Sequence, residues 1–157
     1  MIVIVDDVLN HQQKLEMQSY CQFNSPFNWK DFTIQNAEQL ADAAVGKIIL
    51  TVSKFFDLSE MVGFEYWTNH NVDKDWHYDT DESDREERYP ICSIVYYPQV
   101  DILSGGNFIT ETESIKAKEN RLLCFSPGIY HKVESFEGQR VSIAINPWNY
   151  KVKSKYI

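Results

Sequence analysis

The chain has 157 residues, with 15 Lys+Arg against 23 Asp+Glu for a formal charge of −8 and 43% apolar residues. That length fits one domain with a real core, and the apolar and aromatic content excludes a disordered chain. No run approaches the roughly 20 apolar residues of a membrane span, and the acidity disfavours nucleic acid or anionic lipid as partners.

In chain order, Ile2–Val5 reads as a short buried strand. The apolar start lacks a basic n-region, so no signal peptide is expected. Asp6 or Asp7 is placed to cap a helix running to about Tyr20, with Val8, Leu9, Leu15 and Tyr20 on its apolar side. Residues 22–31, with Phe23, Pro26, Phe27 and Trp29, read as an aromatic-rich loop. A second helix is expected over Asn36–Val45, capped by Asn36 and ended by Gly46. Lys47–Phe56 and Phe64–Trp67 fit either a strand or a buried helix. The odd count of three cysteines (Cys21, Cys92, Cys124), each in an apolar run, points to reduced, buried thiols and a cytoplasmic location.

Beyond Trp76 the texture changes to short β-branched and aromatic runs. These are Ile91–Tyr97, Asn107–Thr110, Arg121–Phe125, Lys132–Phe136 and Arg140–Ile145. Turn residues punctuate them at Pro98, Ser104-Gly105-Gly106, Lys118-Glu119-Asn120, Ser126-Pro127-Gly128 and Glu137-Gly138. The layout predicts an α+β, mainly β domain spanning 1–157, with supporting helices to about residue 60 and an antiparallel sandwich or barrel over about 64–150. The stretch Asp73–Glu87 holds eight of the 23 acids and reads as a mobile loop. Asp81, Glu82, Asp84, Arg85, Glu86, Glu87 and Arg88 are expected in solvent, or as a flap over a site at the barrel mouth.

Two histidines stand apart. His77 and Asp79 are two residues apart, so on an extended backbone both project from one face. His131 follows the Ser126–Gly128 turn and can supply a third ligand from a neighbouring strand. Two His and one carboxylate with open positions opposite is the donor set of non-haem Fe(II) oxygenases. Arg140 opens an apolar strand and shares a face with Ser142 and Ala144. A guanidinium beside a hydroxyl in that setting suits bidentate capture of a carboxylate. His11 and His70 are expected to face solvent, and Tyr78 to point away from the site. Trp67 and Trp148 fit either a pocket wall or core packing.

The ordered set His77-Tyr78-Asp79, Ile94–Tyr97, Ser104–Phe108, Phe125–His131 and Arg140-Val141-Ser142 resembles the Fe(II)- and 2-oxoglutarate-dependent oxygenases, in particular their prolyl-4-hydroxylase-like branch. The resemblance covers about Trp76 to Trp148. Collagen-type prolyl hydroxylases carry Lys where Arg140 stands, so the likeness is to the Arg-bearing relatives. It implies a cupin-like double-stranded β-helix (jelly roll), with Fe(II) held by His77, Asp79 and His131. It also implies that Arg140 binds the far carboxylate of 2-oxoglutarate, assisted by Ser142 and by Tyr97, with Tyr96 the alternative on the opposite face. The implied reaction consumes O2 and 2-oxoglutarate, releases succinate and CO2, and hydroxylates a carbon centre. No catalytic residue beyond the metal ligands is required. The expected target is a prolyl residue of a peptide or protein. A free amino acid or other small molecule is the runner-up, and a catalytically silent cupin-like binding module is the reading from another class. The acidity near His77 favours a neutral or basic substrate.

Overall fold

The structure, a computed structural model, describes residues 1–81 and 88–152. Glu82, Asp84, Arg85, Glu86 and Glu87 of the expected flap lie outside the described residues. Among the described residues, ten strands and three helices follow in the order β1 (Ile2–Val5), α1 (His11–Tyr20), β2 (Asn28–Asp31), α2 (Ile34–Gln39), α3 (Ala44–Val52), β3 (Gly63–His70), β4 (Lys74–His77), β5 (Ser93–Gly105), β6 (Phe108–Thr110), β7 (Ser114–Ile115), β8 (Leu122–Phe125), β9 (His131–Val133) and β10 (Phe136–Trp148). They form a six-stranded sheet, β1-β8-β5-β10-β3-β2, and a four-stranded one, β4-β9-β6-β7. Every strand pair is antiparallel. The architecture is mainly β with few helices, as the run of short strands predicts.

The larger sheet is covered on both faces, which is why its central strands read as continuous apolar runs. On one face Ile94, Tyr96, Cys124, Ile143 and Ile145 pack against the helices through Met17, Ile48, Ile49 and Val52. On the other, Tyr97, Leu123 and Phe125 meet Phe108 and Ile115 of the smaller sheet. Each fully buried Ile or Leu at these layers contributes roughly 1.5–3 kcal/mol.

The helical region departs from the sequence reading in three places. First, α1 begins at His11 rather than at Asp7. Asp7 sits at φ 53, and Asn10 caps instead, in a reciprocal box with Gln13. Val8 and Leu9 are buried ahead of the helix, because the Asn120 carboxamide grips both backbone groups of Leu9. Leu15 and Tyr20 are exposed, and the helix is anchored through Gln13 and Met17. Second, α2 is capped by Thr33 in a box with Asn36, and ends before Leu40. Gly46 lies inside α3, where a Cβ would stand 1.9 Å from the Leu40 carbonyl oxygen. It permits a close helix crossing and does not stop a helix. Lys47–Val52 is therefore helix, and Phe64–Trp67 is strand. Third, Asn28–Asp31 is an edge strand on β3, not loop.

Glu137-Gly138 is likewise not a hairpin turn. It runs on within β10, opposite a bulge at Leu103 of β5, where Gly138 takes φ 113 against the Asp101 carbonyl. The chain crosses between sheets at Glu134 and Ser135, from β9 to β10. Pro98, expected as a break, stays inside β5 at the irregularity that faces Ser142. There its missing N–H costs no ladder bond. The stretch from Asp73 also contains β4, and Asp81 is buried, accepting from the Tyr150 hydroxyl at 2.8 Å. Arg88 is surface-exposed beside Tyr150, its guanidinium 5.4 Å from that ring. No helix among the described residues is long and apolar enough to cross a membrane.

Candidate active site

His77 closes β4 and His131 opens β9, and the two are cross-strand partners. Their rings approach to 4.2 Å between centroids. Asp79 lies just past β4, with Oδ1 at 3.6 Å from His77 Nε2 and 3.5 Å from His131 Nε2. All three potential ligand atoms lie within 4.8 Å of one another. The imidazole tautomers follow from the neighbours. His77 Nδ1 is 2.7 Å from the Asp75 carbonyl, and His131 Nδ1 is 2.7 Å from the Ile129 carbonyl. A carbonyl can only accept, so each Nδ1 donates and each Nε2 keeps its lone pair for the centre. Phe108 stacks on the His131 ring and Phe125 meets it edge-on, fixing its plane.

Electrostatics favour the metal-binding protonation states of His77 and Asp79. Burial lowers the His77 pKa, and the neighbouring His131 adds to that, so the ring is neutral near pH 7. Burial pushes the Asp79 carboxyl up, but the adjoining His131, the Ser93 hydroxyl and the nearby His77 outweigh it and hold it below the ordinary range. Two imidazoles and a carboxylate, with two donors oriented by backbone carbonyls, fit a borderline divalent metal such as Fe(II).

Arg140 is 2% exposed, deep in the fold. Asn71, at φ 57, accepts from the Arg140 N–H and donates its own N–H to the Arg140 carbonyl, fixing the strand start. The guanidinium donates to the Gly106 carbonyl at 2.9 Å and to the Tyr97 hydroxyl at 3.2 Å, and lies 5.0 Å from the Tyr97 ring. These bonds use two of its five N–H groups, and no carboxylate among the described residues pairs with it. A buried guanidinium in that condition calls for an anion. Tyr97 is thus the member of the tyrosine pair on the Arg140 side. Tyr96 points into the helical core and donates to Asn120.

A narrow cavity of about 40 Å³ joins the two halves, with Trp67, Asn69, Lys74, His77, Asp79, Arg140 and Ser142 on its walls. Through Trp67, Lys74, His77 and Asp79 it shares walls with a wider cavity of about 400 Å³, which adds Phe27, Trp76 and Asn146. Trp148 belongs to the packing, where its indole donates to Glu65. Tyr78 turns outward onto Tyr130, and His11 is exposed while His70 is half-buried at the end of β3.

The sequence reading did not single out Lys74, Asn69, Ser93 or Asn146. Asn146 continues the two-residue period of Arg140, Ser142 and Ala144, and Asn69 that of Trp67, so strand periodicity alone could have found both. Lys74 carried no signal amid the acids around it. Burial depresses its pKa, and Asp79 partly restores it.

No protein-family model matches the chain, and no curated protein matches its sequence. Solved structures do. One is an oxidoreductase of the 2OG-Fe(II) oxygenase family from Burkholderia pseudomallei, with TM-score 0.64 and 12% identity over 95% of this chain and 84% of that one. Another is a Pseudomonas putida prolyl-4-hydroxylase, with TM-score 0.63 and 17% identity over 96% and 88%. A third is a Trichoplax adhaerens prolyl hydroxylase in complex with a hypoxia inducible factor oxygen degradation domain peptide fragment, with TM-score 0.54 and 13% identity over 97% and 85%. The chain has the fold of the 2OG-Fe(II) oxygenases and prolyl hydroxylases, in agreement with the resemblance carried by its sequence motifs.

Proposed function

We propose that this protein is an Fe(II)- and 2-oxoglutarate-dependent dioxygenase that hydroxylates a carbon centre, with a prolyl residue of a peptide or protein as its target. In this reading the two sheets make up a double-stranded β-helix within a single domain. The observation that carries the proposal is the pairing of a three-ligand His77/Asp79/His131 centre with a buried, uncompensated Arg140 across one cavity. A fold shared by many chemistries does not settle function, and this site chemistry is what does the arguing.

His77 and His131 Nε2 and an Asp79 oxygen would hold the iron. Arg140 would take the far carboxylate of 2-oxoglutarate through its unused N–H groups, with Tyr97 orienting the guanidinium and Ser142 beside it. Lys74 offers a second cation on the same cavity wall. The cavity has to widen to admit a five-carbon diacid, and Lys74, whose flexible chain lies over Trp67, is the wall best able to move. When bound, iron and co-substrate supply O2 activation coupled to oxidative decarboxylation, yielding succinate and CO2. The protein's own residues bind and orient the co-substrate, exclude water behind Phe108, Phe125 and Val95, and set one C–H bond at the open side. The Pseudomonas putida and Trichoplax adhaerens neighbours support the prolyl target by likeness of fold.

The test is an anaerobic titration with Fe(II) and 2-oxoglutarate, followed by O2 and succinate detection. Stoichiometric binding and succinate release are expected. His77→Ala and Asp79→Ala should abolish succinate formation, and Arg140→Ala should raise the 2-oxoglutarate requirement by roughly two orders of magnitude, the worth of a charge-assisted bidentate contact. Failure to bind 2-oxoglutarate at millimolar levels overturns the proposal. A peptide array screened for added hydroxyl mass tests the prolyl target.

A further inference from the structure

Among the described residues, two buried side-chain polar atoms have no hydrogen-bond partner: the Trp67 indole Nε1 and the Asn146 carboxamide Oδ1. Both residues are more than nine-tenths buried, at 8% and 2% exposure. Both line the wider cavity of about 400 Å³ beside His77 and Asp79. One is an obligate donor and the other an acceptor. Buried polar groups are paired in the great majority of cases, so two orphans of opposite kind in one cavity wall mark a ligand position.

The register places them together. Trp67 is the cross-strand partner of Ala144, and Asn146 that of Glu65, on neighbouring β3 and β10. Trp67 and Asn146 are therefore diagonal neighbours on one face, with Cα atoms about 7–8 Å apart. The residue between them on β10 is only an alanine, which leaves the space over it open. A neutral secondary amide carries its acceptor oxygen and its donor N–H on opposite edges of one plane. A hydrogen bond of about 2.9 Å at each edge, lying in that plane, would match one donor and one acceptor placed on the same wall.

We propose that Trp67 and Asn146 form an amide-binding pair that determines specificity at the open side of the metal centre: Trp67 donates to the carbonyl of a substrate amide, and Asn146 accepts from its N–H. This deepens the dioxygenase reading and rests on it. It favours a residue held within a peptide, flanked by neutral amides, over a free amino acid. The ends of a free amino acid bring full charges to a wall where the pair offers only neutral partners, and desolvating them there is costly.

The test is a titration of ¹⁵N-labelled protein, both unloaded and loaded with 2-oxoglutarate and Zn(II) in place of iron, so that no turnover intervenes. The chain has four tryptophans, and Trp67→Phe identifies the Trp67 indole signal. The probes are N-methylacetamide, N-acetyl-L-proline N-methylamide and free L-proline. The two amides are expected to move the Trp67 indole N–H downfield, and free proline to leave it in place. Asn146→Leu should weaken the capped prolyl probe by about tenfold, the usual worth of one well-made hydrogen bond, while Asn146→Asp retains an acceptor and restores part of it.

An indole signal that no amide moves, in either form of the protein, overturns the inference. So does a signal that moves with 2-oxoglutarate alone, because Trp67 would then serve the co-substrate. Equal response to capped and free proline removes the peptide preference. The dioxygenase reading fails separately, by absence of Zn(II) and 2-oxoglutarate binding in calorimetry. The amide titration of the unloaded protein still decides on the pair.

Discussion

Ser93 is buried at the start of β5, and its hydroxyl helps hold the Asp79 carboxyl below its ordinary range. That interaction offsets part of the carboxylate's desolvation, so Ser93 is expected to act as a positioning residue for the metal centre. Outer partners of this kind typically hold 10–100-fold of metal affinity. Ser93→Ala is therefore expected to raise the dissociation constant for Fe(II), or for Mn(II) as its spectroscopic substitute, by about tenfold or more. Thermal stability should change little. Metal titration with and without 2-oxoglutarate checks this, and unchanged affinity would mean the His131 contact alone positions Asp79. At this scale the sequence was informative where chemistry concentrates in rare residue types. His77, Asp79, His131 and Arg140 were legible because their combination is uncommon in an apolar β context. Ser93 was not, because a serine at a strand start carries no signal until the fold brings it to Asp79.

Secondary structure was legible in the β half and less so among the helices, for a physical reason. Strands buried on both faces announce themselves as apolar runs, as in Ile94–Tyr97 and Leu122–Phe125. The helices are short, and competing caps decide their limits. Asp7, Asn10, Thr33 and Asn36 are all able caps, and tertiary contacts to Asn120 and the α2–α3 crossing choose among them. Gly46 is the clearest case. By propensity an alanine in mid-helix is favoured over glycine by about 1 kcal/mol. Here the added Cβ would lie 1.9 Å from Leu40 O and 2.5 Å from Leu40 C, backbone atoms that cannot step aside. Overpacking of this kind costs about 1–3 kcal/mol. Gly46→Ala is accordingly expected to destabilise the protein by about 2 kcal/mol and to lower Tm by roughly 4–8 °C for a chain of this size. Calorimetric melting is the check, and a Tm at or above the parent's would show that α2 and α3 can separate at little cost.

At the scale of the whole molecule, helices cover one face of the six-stranded sheet, and the metal centre lies between the other face and the smaller sheet. The three thiols report on how firmly the first of these contacts holds. Cys21, Cys92 and Cys124 are free and buried in the one core that joins helices to sheet. Burial pushes the Cys21 thiol up to about 12 and Cys124 to about 11, and raises Cys92 as well, with Cys124 adding to the effect. Thiol exchange requires both exposure and the thiolate, so the native state should be inert to a disulfide reagent at mildly alkaline pH. Reaction then has to pass through opening. If helices and sheet form one cooperative unit, all three thiols should label at a single rate that rises with denaturant along the global unfolding limb. Cys21 caps the end of α1, whereas Cys92 immediately precedes β5 and Cys124 lies within β8. Faster labelling of Cys21 alone would show that the helical layer opens while the sheet stays closed. In that case the His77–Arg140 site, built wholly on strands and the loops beside them, would keep its affinity for metal and 2-oxoglutarate in the partly opened state. Mass-resolved labelling in the presence of both ligands distinguishes the two. Ligand should slow all three thiols equally in the cooperative case and spare only Cys92 and Cys124 in the other.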